Sequence, residues 1–231
     1  MQNGRFDAVF VDFYGTLVTG DRRAVETTCQ HVVKDYGLDM TAADLAIAWG
    51  KRFFLAIESS NGDDFETLFD CECRTLRQTV EPLVGPIDPV PYALMLKAYW
   101  AGPEIAEGVM EGLAEIDKPV CIVSNADTED IEIAIGALGL PIEHVVTSED
   151  ARSYKPDAAI FHRALDYMGV DPSRVIHVGD SLHSDVGGAA KLGIKTCWIR
   201  YADRILDVGT GQADYEISSM TDLPAILANQ R

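Results

Sequence analysis

Short apolar runs alternate with longer amphipathic segments over much of this chain. The runs are three or four residues long and rich in branched aliphatic side chains, as is typical of parallel strands buried on both faces; they occupy residues 9–11, 120–123, 144–147, 175–178 and 196–199. Segments with helical spacing of apolar residues separate the later runs, at residues 128–138, 157–168 and 184–192. This alternation predicts an α/β fold with a parallel, Rossmann-like sheet.

The segment between the first and second apolar runs has a different character. Residues 18–101 show helical signals and few strand signals. Three helices are expected there from the spacing of apolar residues, at 45–57, 64–84 and 92–99. One strand, then a helical insert, then the rest of the sheet predicts a core formed by residues 1–17 and 102–231, with a helical cap formed by residues 18–101.

Composition narrows the class of protein and its partners. Hydrophobic residues make up 47% of the 231 residues, which excludes a disordered chain. The net charge of −18 argues against nucleic acid or an anionic membrane as partner, but a small anionic substrate stays open because the field at a site can oppose the overall charge.

The five cysteines are too scattered for a zinc cluster. Without a signal peptide or an apolar stretch near the ~20 residues that cross a bilayer, we expect a cytoplasmic protein, and the oligomeric state stays open.

Four short polar segments lie at the expected ends of strands. In chain order they are Asp12-Phe13-Tyr14-Gly15-Thr16, Ser124-Asn125, Lys155-Pro156, and the segment from Asp180 to Asp185. Ligands of open parallel sheets bind just beyond the carboxyl ends of the strands. Because those ends meet at one edge of the sheet, we expect these side chains to converge on one site.

In order and placement, the four segments resemble the four motifs of the haloacid dehalogenase superfamily, and the resemblance covers essentially the whole chain. It implies that Asp12 is a covalent nucleophile. The other residues that the resemblance assigns to catalysis are Thr16, Ser124 and Lys155, and those assigned to substrate binding are Tyr14 and Asn125. It also implies a Mg²⁺ ion held by Asp12, the Tyr14 carbonyl and Asp180, with Asp185 contributing directly or through water.

The residue types suit the attack of a carboxylate on phosphorus. Such an attack brings two anions together, so the site needs positive charge, which Lys155 can supply to Asp12 and to the phosphoryl oxygens. Ser124 and nearby backbone N–H groups can donate hydrogen bonds where charge develops. Asp180 and Asp185 offer the hard oxygen atoms that Mg²⁺ prefers.

One position departs from the phosphatase pattern. Most phosphatases of the superfamily carry a second Asp two residues after the nucleophile, as general acid, and here that position is Tyr14. The form Asp-x-Tyr-Gly-Thr is typical of the 2-haloacid dehalogenase branch. That reaction can spare the general acid because a halide leaves without a proton.

Three other features favour a phosphatase. Asp180 keeps a carboxylate where the dehalogenases have a small polar residue, and its charge would repel a 2-haloacid. Gly50 stands where the dehalogenases place a substrate-binding Arg, with Lys51 and Arg52 as the candidates to replace it. Phe161 stands where they have a Tyr.

We therefore predict a Mg²⁺-dependent phosphatase that hydrolyses a small phosphomonoester through an aspartyl-phosphate intermediate. One alternative is a 2-haloacid dehalogenase that acts through an aspartyl ester. The other is a phosphometabolite-binding protein with decayed catalysis, although binding alone does not need a nucleophile.

The source of the leaving-group proton stays open. An ordinary phenol pKa near ~10 makes Tyr14 a poor donor, so we expect its ring to pack under the cap while only its carbonyl serves the site. The remaining sources are the cap, the substrate and His183. Four histidines have no ligand spacing and no predicted role: His31, His144, His162 and His177. Trp49 and Phe53, four residues apart, are expected in the core of the cap.

Overall fold

A six-stranded parallel sheet forms the centre of the computed structural model, which describes residues 6–201 and 211–228. The strands within those residues are β1 (Ala8–Val11), β2 (Val18–Thr19), β3 (Glu104–Ile105), β4 (Val120–Ser124), β5 (His144–Thr147), β6 (Val175–Gly179), β7 (Lys195–Ile199) and β8 (Tyr215–Ile217). The sheet has the order β5-β4-β1-β6-β7-β8 and every neighbouring pair is parallel. The predicted α/β fold with a Rossmann-like sheet is confirmed.

Ten α-helices lie within the same residues. They are α1 (Asp21–Tyr36), α2 (Ala42–Ser59), α3 (Leu68–Val84), α4 (Val90–Trp100), α5 (Val109–Ala114), α6 (Thr128–Leu138), α7 (Ser148–Ala151), α8 (Ala158–Met168), α9 (Gly188–Ala190) and α10 (Leu223–Ala228). We refer to helices α1–α4, residues 21–100, as the helical insert. It follows β2 and precedes β3, which pair with each other antiparallel. None of the described helices is both long and apolar enough to cross a membrane.

Strand β1 is central in the sheet, between β4 and β6, and all four of its residues are buried because helices cover both faces. On one face Val9 and Val11 join a buried cluster that includes Ile131 of α6. On the other face Phe10 joins a second cluster that includes Ile160 of α8. This double burial explains the continuous apolar run in the sequence, and it brings the chain out at the carboxyl edge of the sheet at residue 12.

The helical insert has a hydrophobic core of its own. Its buried members include Leu45, Trp49, Leu76, Val80 and Leu96, and Phe53 packs against them. The expected placement of Trp49 and Phe53 in this core is therefore confirmed. The helix expected at 64–84 begins later, at Leu68, because Thr67 is its N-cap: the Thr67 side chain accepts a hydrogen bond from the Asp70 N–H.

A core carboxylate docks the helical insert on the sheet edge. Asp127, directly before α6, accepts hydrogen bonds from the backbone N–H groups of Leu68 at 2.7 Å and Phe69 at 3.0 Å. A carboxylate at a helix N-terminus satisfies N–H groups that have no partner within the helix. Lys97 of α4 adds an ion pair with Asp130 of α6, at 2.6 Å. Because Asp127 is two residues after Asn125, these hydrogen bonds hold the first turn of α3 close to the Asn125 segment.

The helix expected at 184–192 is replaced by a wider turn. Leu182–Gly187 forms a π-helical turn, and only Gly188–Ala190 follows as α-helix. The Ser181 carbonyl accepts hydrogen bonds from the N–H groups of both Asp185 and Val186, each at 3.1 Å. The widened turn directs the Asp185 side chain inward, where it is buried. Single π turns of this kind occur frequently at functional sites.

Candidate active site

The candidate nucleophile lies at the carboxyl edge of the sheet, held by three donors. Asp12 directly follows β1, and its Oδ1 accepts hydrogen bonds from Lys155 Nζ at 2.7 Å and from Ser124 Oγ at 3.2 Å. Its Oδ2 accepts one from Thr16 Oγ1 at 3.1 Å. All four residues are buried. The carboxylate is therefore oriented by three donors and shielded from bulk water, as suits a nucleophile.

Lys155 sits between two carboxylates. Its Nζ donates to Asp12 and also to Asp185 Oδ1, the second at 2.6 Å. Burial alone would lower the pKa of Lys155, but the two carboxylates outweigh it and hold that pKa above its ordinary value. The amine thus remains a cation beside the candidate nucleophile at neutral pH.

Asn125 clamps the backbone of Lys155. Its Oδ1 accepts a hydrogen bond from the Lys155 N–H at 2.7 Å, and its Nδ2 donates to the Lys155 carbonyl at 3.1 Å. The same residue lines the cavity described below. Asn125 therefore positions the lysine, and its expected role in substrate binding stays a prediction.

His177 completes the support of Asp185, a part that the sequence interpretation missed. Its Nε2 lies 2.9 Å from Asp185 Oδ1, and both residues are buried. Because an ionised carboxylate only accepts, the Nε2 atom carries the proton. Burial raises the pKa of Asp185, but the charge of Lys155 and the His177 contact outweigh it and hold that pKa below its ordinary range. The sequence signal for this role was that His177 is a polar residue in the middle of the apolar strand β6.

The close approach of Asp185 to the end of β6 needs a glycine. Asp185 Oδ2 accepts a hydrogen bond from the Ser181 N–H at 3.1 Å, which folds the carboxyl group back over Gly179. A Cβ atom at Gly179 would lie 2.2 Å from Asp185 Cγ, far inside van der Waals contact. Gly179 is therefore required for the position of this carboxylate.

Three buried carboxylates form a candidate metal centre. Each of Asp12, Asp180 and Asp185 offers an oxygen atom, and these atoms lie within 4.8 Å of one another. Thr16 Oγ1 lies 3.3 Å from Asp180 Oδ1 as well as close to Asp12, so it bridges the first two. The donor set fits Mg²⁺ because it consists of hard oxygen atoms in a compact group. The expected ligand carboxylates are thus brought together.

Tyr14 packs its ring against the helical insert. Its hydroxyl donates to the Trp100 carbonyl at 2.7 Å, and the two rings meet edge to face with centroids 4.9 Å apart. Burial, helped by the charge of Asp130, raises the pKa of the Tyr14 phenol far above its ordinary value. Gly15, with φ of 86°, turns the chain immediately afterwards. The phenol is therefore a structural group and a very weak acid.

His183 contacts the helical insert. Its Nε2 lies 2.9 Å from Glu58 Oε1 of α2, and both side chains are substantially exposed. The contact links the π-helical turn to the helical insert. His183 as the source of the leaving-group proton is therefore not favoured by the structure.

A cavity of about 490 Å³ lies between Tyr14 and Asn125 on one side and the helical insert on the other. Most of its lining is apolar or aromatic, including Ala46, Ile47, Trp49, Phe53, Phe54, Ile57, Leu68, Leu96 and Trp100. Gly50 lines it, whereas the neighbouring Lys51 and Arg52 are exposed and are not lining residues. The candidates to replace a substrate-binding Arg therefore do not occupy that position.

The sheet order and the buried Lys155–Asp12 pair define a Rossmann-like α/β protein with a charged site at the carboxyl edge of its sheet. A family model for haloacid dehalogenase-like hydrolases matches residues 6–193, and the chain belongs to that family. The resemblance drawn from the four motifs is thus confirmed, and the protein is an enzyme of the hydrolase class.

Curated relatives include hydrolases of two kinds. N-acylneuraminate-9-phosphatase of Mus musculus is 30% identical over 128 residues, which are 53% of this chain and 52% of that protein. The (S)-2-haloacid dehalogenase 4A of Burkholderia cepacia is 30% identical over 135 residues, 58% of this chain and 56% of that protein. The chain spans about half the length of the curated relatives it matches.

Among solved structures, the L-2-haloacid dehalogenase from Xanthobacter autotrophicus superposes with a TM-score of 0.79 at 17% identity, covering 98% of this chain and 100% of that chain. At that identity the likeness concerns the fold alone. It extends over the sheet and the helical insert together.

Proposed function

We propose that this hydrolase is a Mg²⁺-dependent phosphatase that cleaves a small phosphomonoester through an aspartyl-phosphate on Asp12. The observation that carries the proposal is Asp180, a buried carboxylate that Thr16 bridges to Asp12. A carboxylate there suits a divalent cation and would repel a 2-haloacid anion. In this proposal the helical insert acts as a cap over a core of residues 1–17 and 102–231.

In the first step a carboxylate oxygen of Asp12 attacks phosphorus, and the bond from phosphorus to the leaving-group oxygen breaks with its electron pair on that oxygen. Ser124 and Lys155, already within hydrogen-bond distance of Asp12, stabilise the negative charge of the phosphoryl group. The leaving-group oxygen takes up a proton from solvent. In the second step the oxygen of water bonds to the phosphorus of the aspartyl-phosphate while the bond from phosphorus to Asp12 breaks, with its electron pair returning to the carboxylate. One proton of the water stays on the phosphate and the other passes to solvent, which balances the proton taken up by the leaving group.

The metal in this proposal is held by Asp12, Asp180 and the Tyr14 carbonyl, with Asp185 directly or through water. When bound, Mg²⁺ supplies positive charge that lowers the repulsion between the carboxylate and the phosphate. Both oxygens of Asp185 already accept hydrogen bonds, from Lys155, His177 and Ser181. This favours the water-mediated role for Asp185.

A 2-haloacid dehalogenase is the second candidate, supported by Tyr14 and by the Burkholderia relative. Its substrate carries a carboxylate that needs a cation. Among the cavity-lining residues in the described part of the chain, Arg22 is the only Lys or Arg, and its Nε donates to Glu26 at 3.0 Å. A binding protein with decayed catalysis is disfavoured because the Asp12–Lys155 pair is intact.

The test is a panel of phosphomonoesters and 2-haloacids, each assayed with Mg²⁺ and with EDTA while phosphate and halide are measured together. We expect phosphate release that requires Mg²⁺, with no halide release. Halide release that persists in EDTA would establish the dehalogenase instead. Failure to release either product from any compound would favour the binding protein.

Replacing Tyr14 by Phe is expected to leave phosphatase activity nearly unchanged. The variant loses only the hydroxyl bonded to Trp100 and keeps the edge-to-face ring contact. Steady-state kinetics on an alkyl and an aryl phosphate should show a change far smaller than the ~10²–10⁴-fold of general acid catalysis. A large loss on the alkyl ester with the aryl ester spared would identify the phenol as the proton donor.

A further inference from the structure

The cavity is larger and more apolar than the phosphate end of a small substrate needs. Tyr14 and Asn125 form its floor beside the loop of Asp12, and its walls are side chains of α1–α4. A volume of about 490 Å³ lies within the ~300–1,000 Å³ of pockets that enclose ligands of ten or more non-hydrogen atoms. On the proposed function, this is the space that the leaving group fills.

One carboxyl group is buried in the cavity wall. Glu72 of α3, one turn beyond Leu68, is only 3% exposed. Its Oε1 accepts a hydrogen bond from the Trp100 indole N–H at 2.8 Å. Within residues 6–201 and 211–228 the hydrogen bond of this carboxyl group is the one to Oε1, and Glu72 lines the cavity. A carboxyl oxygen in a largely desolvated site gains from a hydrogen bond, so a donor on a ligand in the cavity would stabilise Oε2.

The charges around the cavity favour a cation as that donor. Asp21 and Glu26 stand in the lining with Arg22, which Glu26 already pairs. Lys97, whose charge acts on Glu72, already forms ion pairs with Glu129 at 3.0 Å and Asp130 at 2.6 Å.

The aromatic side chains of the cavity point to the same kind of ligand. Trp49, Phe53, Phe54 and Trp100 line it together with Glu72. The faces of aromatic rings carry partial negative charge and attract an ammonium group, most strongly where water is excluded. An anionic leaving group would meet the opposite field.

We propose that the cavity binds the leaving group and that Glu72 Oε2 accepts a hydrogen bond from a primary ammonium at its far end. The substrate class is then a phosphomonoester of an amino-substituted, otherwise apolar alcohol of arylalkyl size. Glu72 binds in its carboxylate form and gives its proton to solvent when the ammonium enters. The phosphate ester in this proposal rests on the proposed phosphatase function. The preference of the cavity for an ammonium group does not depend on that function.

Three matched ligands test the cavity by calorimetry: 4-(aminomethyl)benzyl alcohol, 4-methylbenzyl alcohol and 4-(hydroxymethyl)benzoate. We expect the amine to bind the wild-type protein about 10- to 100-fold more tightly than the methyl compound, as a charge-assisted hydrogen bond provides. The benzoate should bind most weakly. Equal binding of the three, or preference for the benzoate, would overturn the proposal.

Glu72→Gln removes the charge and keeps an oxygen for the Trp100 N–H. It should abolish the preference for the amine and leave the methyl compound within about three-fold of wild type. The matched control is Glu26→Gln, at the cavity lining but paired with Arg22, which should retain the preference. A preference for the amine that survives Glu72→Gln would show that another group binds it.

Thermal unfolding verifies that the variant folds. Burial, with the charges of Asp127 and Asp130, raises the pKa of Glu72 against the opposing effects of the Trp100 hydrogen bond and of Lys97, and the net pKa is about 8. Because this pKa exceeds the ordinary value of the unfolded chain, the wild type is stabilised at low pH and loses that stability as the pH rises through about 8. Glu72→Gln should therefore melt above wild type at pH 8.5 and show no such gain at pH 5.

The phosphate esters of the three alcohols separate this proposal from the proposed function. Phosphate release in the order amine, methyl, benzoate supports both. Release from all three without preference, together with equal binding, keeps the phosphatase and rejects the ammonium pocket. Selective binding of the amine with no phosphate release from any ester supports the pocket and rejects the phosphatase.

Discussion

Asp12→Asn is expected to lower the rate of phosphate release by about 10³-fold or more, because an amide oxygen does not form the covalent phosphoryl intermediate. The substitution conserves size, and Lys155 keeps its second carboxylate, Asp185, at 2.6 Å. The amide oxygen can still accept from Ser124, and the amide NH2 can donate to Thr16 Oγ1, whose hydroxyl can donate to Asp180. The variant should therefore melt close to wild type while turnover is lost.

Fluorine NMR with beryllofluoride and Mg²⁺ tests, without any turnover, whether Asp12 is the residue that forms the covalent adduct. Wild type should show one bound adduct, and Asp12→Asn should show none. Asp117→Asn is a matched control, since that exposed carboxylate lies at the amino end of β4, across the sheet from the site. An adduct that remains in Asp12→Asn would place the nucleophile elsewhere.

Asp180→Asn is expected to cost Mg²⁺ affinity and activity together. The amide keeps an oxygen near Thr16 Oγ1, so the loss reports the charge and not the shape of the side chain. Removing one of three clustered carboxylates should weaken Mg²⁺ binding by about 10- to 100-fold or more, measured by calorimetry. Phosphate release at low Mg²⁺ should fall in proportion and recover in part at high Mg²⁺.

Two comparisons sharpen that experiment. Wild-type enzyme in EDTA should be inactive and should regain activity when Mg²⁺ is restored. Asp180→Ser introduces the small polar residue typical of the dehalogenase motif. If Asp180→Ser retained full activity, or if wild type worked equally well in EDTA, the metal would have no part in the reaction and the carboxylate cluster would be an electrostatic feature only.

Much of the sheet and of the candidate site follows from the sequence. A parallel strand covered on both faces has to be apolar at consecutive positions, so β1, β4 and β6 are readable without knowledge of their neighbours. Asp12, Ser124 and Asp180 follow directly after or within the ends of those strands, and parallel strands bring their carboxyl ends to one edge. Their convergence is a property of the topology.

The parts that do not follow depend on tertiary contacts. His177 has a role only because the π-helical turn directs Asp185 toward it, and a wide turn has no distinctive spacing in sequence. Strand β8, at Tyr215–Ile217, is too short for periodicity to predict. Glu72 resembles an ordinary helical surface acid, although its position four residues after Leu68, on the buried face of α3, was a signal.

The cavity lining divides between two stretches of sequence in a way that bears on how this enzyme can diverge. Every lining residue except Tyr14 and Asn125 belongs to the helical insert, whereas Asp12, Ser124, Lys155 and the other site residues belong to the sheet edge. Substitutions that reshape the cavity walls in α1–α4 therefore leave the site residues at the sheet edge in place. Mutations in α1–α4 can change which substrates bind while the chemical reaction stays the same. Recombination that replaces the whole helical insert can exchange one set of substrates for another in a single event.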